Sequence, residues 1–165
     1  MIYAGIGSRE TPANILELMT RVATRLAARG YTLRSGGCEG ADVAFEQGAT
    51  SKEIFLPWRN YNGSDSQHYH ITADAMTLAA SIHPAWDRCS PGARKLHARN
   101  CQIILGQNLD QPVDFVVCWH QGTGGTMQGV RLALQRGIPV INLADSNWIQ
   151  QMLAVLGIKK IVKLY

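Results

Sequence analysis

A repeated local grammar constrains this chain more than any other feature. An apolar run leads into a small glycine-rich polar turn, and an amphipathic segment follows. The pattern occurs at Gly5-Ile6-Gly7-Ser8-Arg9, at Ser35-Gly36-Gly37-Cys38-Glu39-Gly40 and at Gly122-Thr123-Gly124-Gly125-Thr126. Strand, turn and helix in that order make βαβ units, which build parallel, doubly wound sheets. Such turns all lie at the carboxyl edge of the sheet, where helix N-termini offer unpaired N–H groups and a partial positive charge. Ligands of open α/β sheets bind where the strand order reverses.

The elements follow from periodicity and punctuation. Ile2–Gly5 reads as a first strand, and Thr11-Pro12 as the cap and first residue of a helix to about Arg29. In that helix Ile15, Leu18, Met19, Val22 and Leu26 recur at helical spacing. Strands are expected at Tyr31–Arg34 and Glu53–Leu56, with a helix from about Glu39 to Gln47 between them. Residues 57–70 form a long polar loop. Helices over Ile71–Ile82 and from Ser90-Pro91 to near Gly106 come next. Val113–Trp119 and Ile138–Leu143 read as strands around a helix over Thr126–Arg136. A last helix starts at Asp145 or Ser146, and Ile161–Leu164 reads as a terminal edge strand. The expected fold is α/β, a three-layer Rossmann-like domain over residues 1–165 with a mainly parallel, doubly wound sheet of about five to six strands.

At 165 residues, 46% hydrophobic and 17% charged, the chain has the balance of one globular core. No segment reads as a membrane span or as a secretory leader, so the expected location is the cytoplasm, with no membrane partner. Cys38, Cys89, Cys101 and Cys118 show no C-x-x-C spacing and read as reduced thiols. His68 and His70 lack a matching cysteine or carboxylate cluster, and His83, His97 and His120 stand singly. No metal and no cofactor is therefore expected. A net charge of +4 mildly favours an anionic partner.

Neither G-x-G-x-x-G nor G-x-x-x-x-G-K-[ST] is present, which excludes a standard dinucleotide or Walker A fingerprint. The three turns instead read as a phosphate cradle. Its expected residues are Ser8, Arg9, Ser35, Gly36, Gly37, Gly40, Gly124, Gly125 and Thr126, with Arg99 and Asn100 adding charge and a hydrogen-bonding edge. Asp42 reads either as a ligand to a ribose hydroxyl or as a loop brace. Trp58 and Tyr61 read as stacking on a base, with Arg59 on phosphate, or else Trp58 reads as packing of the long loop onto the core. His120, at the end of a strand on the same edge, is a candidate base or phosphate contact.

At the level of motifs, the chain resembles the Rossmann-like core of the DNA-processing protein A family. That family lies within the SLOG group, which also holds the LOG-type nucleotide phosphoribohydrolases. Gly5-Ile6-Gly7-Ser8-Arg9 is similar to the family's G-S-R turn, and Ser35-Gly36-Gly37-Cys38-Glu39-Gly40-Ala41-Asp42 to its S-G-x-x-x-G-x-D loop. Ala98-Arg99-Asn100 is similar to R-N-R, with Cys101 in place of the second arginine. Gly124-Gly125-Thr126, the helix through Arg131-Leu132-Ala133-Leu134 and the strand from Gly137-Ile138-Pro139-Val140 resemble the family's last turn, helix and strand.

The resemblance implies a binding protein for a nucleotide or single-stranded DNA, with a role in recombination and a tendency to form homodimers. The hydrolase branch implies an alternative, an N-glycosidase acting on a nucleoside 5′-monophosphate or related nucleotide. That branch places a glutamate where this chain has Gln128, and an amide does not act as a general base. Glu39 or His120 would then carry the catalysis, and the bland reading of Glu39 is a first-turn glutamate favoured by the helix dipole. A further alternative is a sensor in which a nucleotide-derived signal orders residues 57–70.

Overall fold

The computed structural model describes residues 1–159. Five strands form one parallel sheet in the order β3-β2-β1-β4-β5. They are β1 (Ile2–Gly7), β2 (Thr32–Ser35), β3 (Lys52–Ile54), β4 (Phe115–Trp119) and β5 (Val140–Asn142). Six helices join them: α1 (Ala13–Ala27), α2 (Ala41–Gly48), α3 (Ala73–Ile82), α4 (Pro91–Leu105), α5 (Thr126–Gln135) and α6 (Trp148–Val155). The terminal strand expected at Ile161–Leu164 falls outside the described residues.

Side chains alternate along each strand and so fill two cores. Tyr3, Leu33, Phe115, Val117 and Ile141 pack with Met19, Leu26, Phe45 and Met152 of α1, α2 and α6. Ala4, Ile6, Val116 and Cys118 pack on the other face with Ala79, Ile104, Val130 and Leu132 of α3, α4 and α5. Helices thus cover both faces of the sheet, as a parallel sheet requires. Each fully buried Leu, Met or Phe contributes about 1.5–3 kcal/mol relative to leaving it exposed.

The chain adds β2 and β3 on one side of β1, then crosses back to add β4 and β5 on the other. The order therefore reverses between β1 and β4, whose register runs from Tyr3 opposite Phe115 to Gly7 opposite Trp119. This is the position at which an open sheet splays its carboxyl-end loops apart.

Several boundaries shift for local reasons. Thr11 caps nothing: its hydroxyl donates to the Ser8 carbonyl at 2.7 Å, Pro12 takes the N-cap position, and α1 starts at Ala13. Helix α2 starts at Ala41 rather than Glu39, because Gly40 sits at φ +82°, outside helical space. Strand β3 ends at Ile54, and Phe55 pairs only in a single bridge with His68. Ser90 does cap α4, accepting the Ala93 N–H at 3.2 Å ahead of Pro91.

The long loop after β3 is fastened to the body. Leu56 N–H donates to the His68 carbonyl at 2.7 Å, the Ser66 hydroxyl donates to the Ile54 carbonyl at 2.5 Å, and the Asn62 amide donates to the Gly37 carbonyl at 3.0 Å. Arg34, 1% exposed, is also a fastener. Its guanidinium pairs with Glu53 at 2.6 Å and donates to the Gln111 carbonyl at 2.5 Å, tying β2 and β3 to the approach of β4.

Candidate functional site

The loops leaving β1 and β4 diverge at the switch point and open a crevice of about 390 Å³. The β1 loop supplies Ser8 and Arg9, the β4 loop supplies Thr123 to Thr126, and Asp42 comes from the first turn of α2. Helix α4 lays one stripe along the crevice: Ala93, Leu96, His97, Asn100 and Ile103 recur at helical spacing. Tyr61, from the long loop, closes another side. The site has a polar end of loop amides, hydroxyl and guanidinium, and an apolar wall.

Unengaged hydrogen-bond donors lie in two places. Among the described residues no amide of Gly124, Gly125 or Thr126 donates to a protein acceptor, although Gly124 and Gly125 carbonyls accept from Met127 and Gln128. These N–H groups head α5, and Gly124 at φ +89° gives the loop its turn. Arg9 is exposed at the lip and takes part in no ion pair among the described residues, where the pairs are Arg34–Glu53 and Lys52–Glu46. The Ser8 hydroxyl accepts the Glu10 N–H at 3.0 Å and keeps its own proton free to donate.

Arg99 lies in the crevice wall but is 3% exposed, and its donors are already engaged. One Nη donates to the Gly36 carbonyl and to the Phe55 carbonyl at 3.2 Å, Nε donates to Asn100 Oδ1 at 3.0 Å, and the other Nη reaches Cys38 Sγ at 3.5 Å. It joins α4 to the β2 loop and to the end of β3. Gly36 is required for this, because a Cβ there would collide with the guanidinium. Gly40 has a comparable role: a Cβ would come within 2.8–3.0 Å of the Ser8 and Arg9 backbone, so the second loop presses against the first only as glycine.

Asp42 is buried at 5% exposure, and its carboxylate accepts the Cys38 N–H at 3.2 Å. Burial pushes its carboxyl up to about 6, against the opposing pull of the Arg99 charge and the Cys38 N–H. Burial and the adjoining Cys38 thiol push the Tyr61 hydroxyl up to about 12. Burial, then the facing His83 ring and Arg99, hold His97 below its ordinary value.

Of the residues singled out in the sequence, Ser8, Arg9, Asp42, Arg99, Asn100, Gly124, Gly125 and Thr126 meet in this crevice. The others do not line it. Ser35 is fully buried, and its hydroxyl donates to the Gly5 carbonyl at 2.6 Å, bracing β2 against β1. Gly37 and Glu39 face a separate shallow depression beside Asn62, with Glu39 exposed. His120 holds its own loop: Nδ1 accepts the Gly122 N–H at 3.1 Å, and its backbone pairs with the Asn142 amide. Gln128 is 2% exposed and donates to the Ala79 carbonyl of α3 at 3.2 Å, away from the crevice. Trp58 and Arg59 are exposed outside it, and Trp58 meets the edge of the Tyr61 ring at 5.2 Å.

Sequence reasoning missed Cys38 and the α4 stripe with His97. It noticed Tyr61 only as a base-stacking partner for Trp58. The available signal was the i, i+3, i+4, i+7 recurrence of Ala93, Leu96, His97 and Asn100 along the helix expected from Ser90-Pro91 to near Gly106.

No protein-family model and no curated protein sequence matches the chain. Solved structures do match it. DNA processing protein A from Helicobacter pylori, which binds single-stranded DNA, aligns over 96% of this chain and 74% of its own, with 18% identity and a TM-score of 0.60. The Moco carrier protein of Chlamydomonas reinhardtii aligns over 94% of this chain and 83% of its own, with 18% identity and a TM-score of 0.53. At these identities the likeness is one of fold, and this chain has the Rossmann-like α/β fold of DNA processing protein A and of the Moco carrier protein.

Proposed function

We propose that the protein binds a nucleotide phosphate, or the backbone of a single-stranded nucleic acid, in the crevice between β1 and β4. One observation carries this reading: among the described residues, unpaired amides at the head of α5 stand in the same crevice as Ser8 and an Arg9 that has no ionic partner. Oriented N–H groups and a guanidinium make a cradle for a tetrahedral oxyanion. Leu96, Ile103 and Tyr61 offer an apolar wall for a base or sugar, and the volume suits a small ligand. The single-stranded DNA binding of the Helicobacter pylori protein supports the same class of partner.

Replacing Arg9 tests it. Arg9→Ala removes a charged donor and, among the described residues, no ion pair or side-chain hydrogen bond, so affinity for a labelled oligonucleotide or a nucleoside monophosphate should fall about tenfold, roughly 1.4 kcal/mol. The melting temperature should stay within about one degree, because exposed substitutions of this kind change stability little. Equal binding by variant and wild type removes the central claim. The salt dependence then separates the ligands: a steep slope means several phosphates are engaged, and a shallow one means about one.

A second reading, hydrolysis of an N-glycosidic bond in a nucleotide, rests on Asp42. A buried carboxyl held near 6 in a ligand-sized crevice can donate a proton to a departing base. Glu39 and His120 lie outside the crevice, and of the two carboxyls that line it, Glu10 is exposed and Asp42 is buried. Release of free base from a nucleotide panel, lost in Asp42→Asn, supports this reading; no release by wild type between pH 5 and pH 8 eliminates it.

A further inference from the structure

Outside the oxyanion cradle, the connection between α3 and α4 gathers three groups that the sequence keeps apart. His83 is the first residue past α3, Cys89 stands just before the Ser90 cap, and His97 lies two turns into α4. The chain turns back on itself through a short helical turn at Trp86–Arg88, and one ligand-capable atom from each of the three residues falls within 4.8 Å of the others. The His83 and His97 rings lie 4.4 Å apart between centroids and are tilted by 52° to one another. Cys89 Sγ is 3.8 Å from each nitrogen of His83. His97 Nδ1 is buried and has no hydrogen-bond partner.

Packing alone does not account for that unpartnered nitrogen, since a buried polar atom left unmade carries a desolvation penalty. A shared cation does. Tetrahedral zinc with bonds of about 2.3 Å to sulfur and about 2.0–2.1 Å to nitrogen sets its sulfur and nitrogen ligands about 3.6 Å apart. The Cys89–His83 separation is close to this. One thiolate and two imidazoles are borderline-soft donors, which suit zinc and not magnesium or calcium.

We propose that His83, Cys89 and His97 bind one zinc-class cation, with a water or an anionic oxygen as the fourth ligand. Binding forms one metal–sulfur and two metal–nitrogen bonds, and the Cys89 thiol gives up its proton to solvent. His83 Nδ1 accepts the Ala85 N–H at 3.1 Å. Ligation through Nδ1 displaces that donor, and ligation through Nε2 moves the ring proton to Nδ1. Either way the Ala85 bond is released. The cation pins the 83–90 connection to α4, whose His97 also borders the crevice. The proposal stands or falls independently of phosphate binding there.

Cobalt(II) titration of the chelator-stripped full chain is the test. Wild type should take up one equivalent, showing tetrahedral bands in the visible and a thiolate charge-transfer band, and zinc should displace it. Cys89→Ser should lose the charge-transfer band, and His97→Ala should weaken binding by more than about tenfold, the loss that even an outer-shell change produces. The paired variant His68→Ala with His70→Ala should titrate like wild type. Zinc-edge absorption on wild type needs no variant and should show one sulfur at about 2.3 Å. A shell without sulfur, a Cys89→Ser spectrum identical to wild type, or loss of binding in the His68/His70 variant overturns the assignment.

Discussion

Replacing Asp42 with asparagine should make the protein more stable relative to wild type as pH rises, because the native carboxyl ionises in the wrong place. It is 5% exposed, and burial outweighs both the Arg99 charge and the Cys38 N–H that favour the anion. In the unfolded chain the group titrates at its ordinary 3.8, and in the folded chain at about 6. Below about pH 4 it is protonated in both states and carries no penalty. Between about pH 4 and pH 6 the unfolded chain releases the proton while the folded chain retains it, so stability falls as pH rises. Above about pH 6 the penalty is complete, about 3 kcal/mol at roughly 1.4 kcal/mol per pH interval.

Asparagine keeps the shape and an acceptor for the Cys38 N–H but has no proton to lose. Urea unfolding of both proteins, followed by tryptophan fluorescence from pH 4 to pH 8, yields the difference curve in which the other carboxylates cancel. The Asp42→Asn advantage should grow by about 3 kcal/mol between pH 4 and pH 7, equivalent to about 6–12 °C in melting temperature for a chain of this size. A flat curve, or one in which asparagine loses ground as pH rises, would show that Arg99 and the loop amides dominate over burial.

Other substitutions separate structural from ligand-binding roles. Arg99→Met leaves the Gly36 and Phe55 carbonyls unpaired in the interior and should cost about 3–5 kcal/mol in urea unfolding; a variant of unchanged stability but lost affinity would make Arg99 a ligand instead. Gln128→Glu places a carboxyl beside the Ala79 carbonyl at a site 2% exposed. It should destabilise by about 3 kcal/mol at pH 7, recover below about pH 4, and release no base from nucleotides. Gly40→Ala combines φ +82° with a Cβ set 2.8–3.0 Å from neighbouring backbone; a loss of more than about 1–2 kcal/mol and weaker oligonucleotide binding are expected from melting and anisotropy.

The fold was legible because its signals are local and repeat. The Met19, Val22 and Leu26 stripe marks α1, the Phe115–Cys118 run marks a strand covered on both faces, and the three glycine turns mark the carboxyl edge. Boundaries moved where a single contact intervened, as when the Thr11 hydroxyl turned to the Ser8 carbonyl instead of the helix.

Placement within the site was less legible, because residue type does not report direction. Glu39 and Asp42 are three residues apart across the start of α2, and both are acidic. Gly40 turns the backbone between them, leaving Glu39 in solvent and Asp42 inside. Arginines raise the same difficulty. Arg9, Arg34 and Arg99 all flank strand ends or loops, yet among the described residues Arg9 alone of the three keeps its fork free, since Arg34 and Arg99 serve carbonyls that the sheet leaves unpaired. A guanidinium satisfies stranded carbonyls as readily as a phosphate. Local pattern therefore identifies the carboxyl edge of the sheet, and long-range satisfaction of the backbone decides which of its cations keeps unengaged donors.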